Sequence, residues 1–334
     1  MRIMISRTDA IGDVILTLPL AGFLKKVNAD NYIIFIGRTY TRAVIAACAD
    51  VDEFIDLDEL LNMSREAALS IVKQKAADTI LHVFPNKILA GLAQKAGIKN
   101  RVGTSHRVFH WFTCNKLVNL GRKNSDLHET ELNFKLLEVI IDKKPEKPLG
   151  QYLRMKSDKL SSQFRKDYLV EGKYNLVIHP KSKGSAREWP AKHYLKLVDL
   201  LQNEKVNIIL TGTLAEGKAF LSSIGNLPSH VKTSFGRLNL SDLVSLIGEA
   251  DGLLACSTGP LHIAAAFGKD AMGIYPPIRP MHPGRWAPIG EKTKVFCLNK
   301  TCNLCRNQTS CACINDIQPI EIYTYIKNIS NQHE

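Results

Sequence analysis

No apolar run in this 334-residue chain approaches the roughly 20 residues that a bilayer-spanning helix needs, so no membrane span is expected. The first residues, Met1 to Ser6, run straight into a strand-like pattern. They lack the charged start and apolar middle of a secretory leader, and the chain reads as cytosolic. No short internal repeat and no low-complexity tract is visible. A disulfide framework is absent too: of the 8 cysteines, most crowd between Cys297 and Cys313, and in a reducing compartment stable disulfides are not expected. The most local absence is that of acid. Between Asn86 and Ser125 there is no Asp or Glu, while Lys87, Lys95, Lys99, Arg101, Arg107, Lys116, Arg122 and Lys123 all fall there.

What is present is a net charge of +12 and 45% hydrophobic residues over a length that exceeds one ordinary α/β core. The charge favours an anionic partner: nucleic acid, a phosphorylated small molecule or an anionic lipid surface. The acid-free stretch is either a solvated face or a functional one. His106, His110, Trp111 and Phe112 inside it suit a surface that meets a phosphorylated, partly apolar acceptor such as a glycolipid.

Short β-branched runs alternate with longer amphipathic segments, the pattern of parallel strands joined by crossover helices. In the first half, strands are expected at Arg2 to Ser6, Tyr32 to Ile36, Glu53 to Leu57 and Thr79 to Phe84. Helices are expected near Ile11 to Lys26, Tyr40 to Cys48, Ser64 to Lys75, Lys87 to Lys95 and Leu127 to Ile141. The charged, proline-containing segment Asp142 to Gly150 reads as the linker, which gives domains 1–150 and 151–334. The second half restarts the rhythm with strands near Asn175 to His179, Val206 to Thr211, Val231 to Ser234, Gly252 to Cys256 and Ala271 to Tyr275. The last helix, about Pro319 to Ile329, is free to pack back toward the first domain. The expected fold is therefore α/β, with two doubly wound parallel-sheet domains facing a central cleft.

Ligands of open parallel sheets bind beyond the carboxyl ends of the strands, so the loops there are the places to look. In Ser6 to Asp13, Gly12 lets backbone approach a ligand, and Asp13 lies in a first helical turn. Asp13 either caps the helix dipole or serves as a general base. In His179 to Pro190, Lys181, Lys183 and Arg187 supply charge, Ser182 and Ser185 supply hydroxyls, and Gly184 permits an amide-lined turn. It lacks the Gly-x-x-x-x-Gly-Lys-Ser/Thr order of a Walker loop. In Thr211 to Glu216, Glu216 is either a ribose acceptor or a helix cap. In Cys256 to Ala266, Ser257 or Thr258 caps a helix that begins Gly259-Pro260, with its amino end a phosphate seat. His262 reaches the same phosphate or is a packed, hydrogen-bonded core histidine.

These four loops, in this order, resemble glycosyltransferase family 9, the heptosyltransferases of lipopolysaccharide inner-core assembly. The most specific matches are Gly12-Asp13-Val14 with Leu18-Pro19, Trp189-Pro190, and Ser257-Thr258-Gly259-Pro260-Leu261-His262 with Ala264-Ala265-Ala266. The resemblance implies a GT-B fold and an inverting transfer of heptose, or a related sugar, from an ADP-sugar to a lipid A-linked oligosaccharide acceptor. It also implies no metal or cofactor requirement, and a cytoplasmic enzyme at the inner face of the inner membrane. By the same resemblance Asp13 matches the base, and Ser182, Lys183, Arg187, Glu216, Ser257, Thr258, Gly259 and His262 fall in the donor site. Arg7, Gly12, Arg101 and Arg107 are expected to meet the acceptor. At Ser257 the chain departs from the many members that carry Asp, which keeps the capping ability and removes a charge. The proline-rich segment Tyr275 to Trp286 is similar to the family's sugar-facing loop, with Arg279, His282 and Arg285 as candidate contacts.

Cys297, Cys302, Cys305, Cys311 and Cys313 offer enough thiolates for a structural metal, but the close spacing of the two pairs favours inert thiols. The alternatives are a glycosyltransferase with another nucleotide sugar, a GT-B-type nucleotide-sugar epimerase, and a metal-dependent nucleic-acid-binding protein. The last finds no use for the diphosphate loops, and no nucleic-acid partner is expected.

Overall fold

Continuous apolar runs, buried on both faces, become the strands of two parallel sheets. The computed structural model describes residues 1–122, 125–156, 162–279, 281–300, 302 and 311–332. The first sheet comprises β1 (Arg2–Ser6), β2 (Tyr32–Gly37), β3 (Glu53–Asp56), β4 (Thr79–His82), β5 (Asn100–Thr104) and β6 (Lys116–Val118) in the order β3-β2-β1-β4-β5-β6. The second comprises β7 (Tyr174–His179), β8 (Val206–Leu210), β9 (Val231–Thr233), β10 (Gly252–Cys256), β11 (Asp270–Ile274) and β12 (Thr293–Phe296), ordered β12-β11-β10-β7-β8-β9. Every pairing is parallel. Both sheets are thus doubly wound, starting at the centre and reversing direction. Each has one switch point, between β1 and β4 and between β7 and β10, where ligand crevices form.

The contacts divide the chain into two units, Met1–Lys156 and Ser157–Glu334. Residues 149–156 belong to the first, because Ala49 N–H donates to Arg154 O at 2.8 Å and Lys156 N–H to Ala47 O at 2.7 Å. The short helix Leu149–Tyr152 lies so close to helix Pro19–Val27 that a Cβ on Gly22 would sit 2.0 Å from Tyr152 O, so only glycine fits there. The core of this unit packs Met4, Ile34, Ile36, Leu57, Ile80 and Leu92 between sheet and helices. Each such side chain contributes about 1.5–3 kcal/mol relative to exposure. In the second unit Trp189, Tyr194, Phe220, Phe296, Ile322 and Ile326 do the same work. Ile322 and Ile326, one turn apart, lay the last helix, Pro319–Asn331, against helix Ala191–Leu200.

Three differences from expectation have local causes. The helix expected over Ile11 to Lys26 is two, Ile11–Ile15 and Pro19–Val27, because Pro19 has no N–H to continue the ladder. The segment from Leu127 to Ile141 holds a short helix, Glu129–Phe134, followed by turns. The acid-free stretch, expected as surface, contributes β5 and the edge strand β6, with helix Val108–Thr113 between them.

Candidate functional site

The loop leaving β1 crosses the switch point of the first sheet and enters helix Ile11–Ile15 with Asp13 in its first turn. The N-cap position is Ala10, which makes no side-chain cap, so the amino end is closed by no neighbouring hydroxyl. Asp13 does not turn back to cap it. Its carboxylate meets Nη2 of Arg7, which is almost wholly buried. That guanidinium also donates through Nε to Asp9 at 2.6 Å and through Nη1 to Glu129 at 2.9 Å. Glu129, fully buried, receives Arg122 Nε at 2.8 Å as well. Arg7 is therefore spent on carboxylates of its own chain.

One turn beyond Glu129, Asn133 accepts from Arg122 Nη2 at 2.9 Å and donates to Leu16 O and Thr17 Oγ1, both at 3.1 Å. Thr17 Oγ1 in turn donates to Asp13 O at 2.8 Å. Helix Glu129–Phe134 thus fixes both the cation that faces Asp13 and the backbone that carries it. Burial pushes the Asp13 carboxyl up to about 6; Arg7 pulls it down, and Asp9 and Glu129 push it up again. For Arg7, burial disfavours charge, but Asp13, Asp9 and Glu129 together raise its affinity for the proton. The result is a carboxylate that ionises just below neutral pH, suited to taking a proton from a hydroxyl.

Three features here were absent from the expectations. Glu129 and Asn133 lie over a hundred residues from Arg7 and Leu16, and nothing in their spacing announces the pairing. His82 ends β4 opposite Ser6 in register, and burial, with His110 and Arg101 nearby, pushes its imidazole down to about 3. Among the described residues, Ser6 Oγ and both His82 nitrogens are buried without a hydrogen-bond partner. Arg101 and Arg107 occupy the β5 side of the sheet: Arg101 braces the carbonyls of Thr113 (2.7 Å) and Ile98 (2.5 Å), and Arg107 is exposed before helix Val108–Thr113.

In the second unit the loops after β7 and β10 flank the switch point. After β7, Ser182 donates from N–H (2.9 Å) and Oγ (3.0 Å) to Glu188 Oε1, and Lys181 pairs with Glu188 Oε2. Glu188, the lone acid of a basic loop, closes it into a ring. Lys183 and Gly184 lie at its tip with φ of 48° and 82°, a left-handed pair that turns the backbone outward, and Lys183 is exposed while Arg187 is half-buried. Trp189 then anchors the loop: its N–H donates to Cys256 Sγ at 3.3 Å and its indole to Ile317 O at 2.9 Å. Trp189 and Cys256 thereby fasten the basic loop to the strand that feeds the phosphate turn.

After β10, helix Gly259–Ala266 starts with Thr258 at the N-cap and Pro260 in its first turn. The expected side-chain cap is not made. Ser257 is instead hydrogen-bonded to the Tyr275 phenol, whose OH donates to Trp286 O at 2.7 Å. The Thr258 hydroxyl is buried and has no hydrogen-bond partner among the described residues. The helix's amino end, that hydroxyl, Gly259 and the buried His262 suit an anionic oxygen. Glu216 sits in a capping box with Thr213, accepting its N–H at 2.7 Å and its hydroxyl at 2.8 Å through Oε2. Burial opposes ionisation there, but the Thr213 bonds, with His179 and Lys183, hold the carboxyl below its ordinary value.

In the proline-rich loop, which includes Arg279, His282 lies at the N-cap of helix Pro283–Trp286, and Arg285 is buried and stacks 4.9 Å over Trp286. Pro280 lies outside the described residues. So does Cys305, while Cys311 and Cys313 are buried and Cys297 and Cys302 half-buried. Burial, with Cys302 and Cys311 alongside, pushes the Cys313 thiol up to about 11. Among the described residues no helix is long and apolar enough to cross a membrane.

The profile of glycosyltransferase family 9 (heptosyltransferase) matches residues 70–314. A Haemophilus influenzae protein that carries a provisional glycosyltransferase name is 27% identical over 311 residues, 89% of each chain. Two solved structures share the fold. A family 9 glycosyltransferase from Veillonella parvula gives a TM-score of 0.79 at 18% identity, over 99% of this chain and 97% of that one. The Escherichia coli ADP-heptose lipopolysaccharide heptosyltransferase II gives 0.77 at 18% identity, over 100% and 99%. With the doubly wound sheets and the loops at both switch points, this chain is a glycosyltransferase belonging to family 9, with the GT-B fold.

Proposed function

We propose that the chain transfers a heptose from ADP-heptose to a sugar of a lipopolysaccharide core, with inversion at the anomeric carbon. Asp13 is the observation that carries the proposal. It is a carboxylate in the loop at a switch point, held by Arg7 and ionising just below neutrality. Displacement of a nucleoside diphosphate needs one base and no general acid, since the diphosphate leaves as a stable anion. Asp13 takes the acceptor hydroxyl proton, the freed oxygen bonds to the anomeric carbon from the face opposite the donor phosphate, and the carbon–phosphate-oxygen bond breaks to release ADP. Arg187, Lys183, the Thr258 hydroxyl and the amino end of helix Gly259–Ala266 receive the charge that develops on the diphosphate. Glu216 takes the ribose hydroxyls. The Escherichia coli relative named for ADP-heptose supports the choice of donor.

A thermal-shift panel of ADP, UDP and GDP, followed by transfer assays with purified nucleotide sugars and truncated lipopolysaccharide cores, tests this. ADP should stabilise most by mass action, and ADP-heptose should be the productive donor. Preference for UDP or GDP, or turnover of another sugar alone, would replace the proposed donor.

A further inference from the structure

Two exposed aromatic rings adjoin the loop that carries the base, and neither has a part in the transfer chemistry above. The loop Ser6 to Asp13 leaves β1, which lies between β2 and β4, so the loops after those two strands stand on either side of it. Tyr40, in the turn Thr39–Thr41 after β2, is 51% exposed, and Phe84, after β4, is 40% exposed. Each is bonded to the loop between them. The Tyr40 hydroxyl donates to Asp9 O, and Phe84 N–H donates to Ser6 O at 3.1 Å. A surface tyrosine ordinarily keeps its polar tip in water, whereas Tyr40 turns its hydroxyl onto the backbone and leaves much of the ring to solvent. Burial raises the phenol first, and the Asp9 and Asp13 carboxylates raise it further against Arg38, so the hydroxyl stays protonated beside the base. The turn is braced. Thr39 N–H donates to Asp58 Oδ2 at 2.9 Å, Thr39 Oγ1 to Asp56 Oδ1 at 3.0 Å, and Thr41 Oγ1 to Arg38 O at 2.8 Å. On the other side Asn86, two residues past Phe84, caps helix Lys87–Lys95 by accepting from Leu89 N–H at 3.0 Å. Both rings are thus carried by anchored backbone, which leaves little ordering for a ligand to impose.

We propose that Tyr40 and Phe84 form the acceptor-sugar subsite, two apolar walls against which the pyranose ring of the acceptor lies with one hydroxyl presented to Asp13. A pyranose carries C–H bonds on its faces, and the negative face of an aromatic ring attracts them. Two of the cations expected to meet the acceptor are engaged elsewhere: Arg7 holds Asp13, Asp9 and Glu129, and Arg101 braces the carbonyls of Thr113 and Ile98. Orientation of a neutral sugar at the base therefore falls to the rings. The saccharide's identity rests on the transfer proposal, but its binding is measurable without turnover, so the two can fail separately.

Calorimetry of the full chain with a soluble, delipidated lipopolysaccharide core oligosaccharide reads the subsite directly. Tyr40→Ala and Phe84→Ala should each weaken its binding by about tenfold and raise the acceptor KM in proportion, with ADP affinity as in the wild type. Tyr40→Phe keeps the ring and drops the bond to Asp9 O, and Phe84→Trp keeps an aromatic face; both should bind the oligosaccharide within about twofold of the wild type. Wild-type affinity in both alanine variants, or no binding by the wild type, would overturn the proposal. So would a Tyr40→Phe variant as weak as Tyr40→Ala, which would make the residue only a brace for the Asp9 backbone. A wild type that binds the oligosaccharide through these rings and transfers nothing to it would uphold the subsite and fail the transfer proposal alone.

Discussion

Arg7 reaches Glu129 through Nη1 at 2.9 Å while Nη2 of the same guanidinium holds Asp13. A fully buried carboxylate thus shares one cation with the base, whose carboxyl is raised first by burial, lowered by Arg7, and raised again by Asp9 and Glu129. Asp9, Arg122 and Tyr40 complete the charged and titratable surroundings.

With Asp13 as base, kcat/KM should be level above about pH 6 and fall by about tenfold per unit below it. Glu129→Gln removes a negative charge that raises the Asp13 carboxyl and leaves Arg7 less divided, so the acid limb should move to lower pH. An unmoved limb in a folded variant would show that Glu129 does not act on Asp13.

Arg7→Met leaves Asp13, Asp9 and Glu129 without their shared cation. Because Arg7 and Glu129 are both buried, the cost should be about 3–5 kcal/mol, read by denaturant unfolding at neutral pH. Without the cation the buried Asp13 carboxyl binds its proton more tightly folded than unfolded. The variant's stability should therefore recover as pH falls and be lost as it rises. A pH-independent deficit would contradict the ionic account.

Trp189→Phe removes the indole donor to Ile317 O and leaves that buried carbonyl unpaired. It should cost about 1–3 kcal/mol. The backbone N–H that meets Cys256 Sγ survives the substitution, so nucleotide affinity should fall only as far as the lost indole bond loosens the basic loop. Calorimetry showing unchanged ADP binding would separate the anchor from the donor site.

Arg187, Lys183 and the amino end of helix Gly259–Ala266 are assigned the diphosphate charge, so chelation with EDTA should leave the transfer rate unchanged. A loss of rate restored by a divalent cation would require a metal in the donor site.

Much of this was legible because strands buried on both faces are written as short apolar runs. Arg2–Ser6, Gly252–Cys256 and helix Lys87–Lys95 fall where the pattern puts them. Strands at or next to an edge carry weaker signals: β5 holds Arg101 and Gly103, β6 has Lys116, and β12 has Lys294, which interrupt the apolar run. The loops after β1, β7 and β10 were visible by their chemistry, but their internal bonding was not. Arg7 and Glu129, or Trp189 and Cys256, meet only once the sheet and its helices are assembled. Nor does composition tell a cation turned outward from Arg122, which is spent inside on Glu129.

The most direct measurement is single-turnover transfer by Asp13→Asn, with ADP affinity determined on the same preparation. Transfer should fall by about 100- to 10,000-fold while ADP binds as it does to the wild type. Transfer at the wild-type rate by the folded variant would remove Asp13 as the base and with it the proposed mechanism.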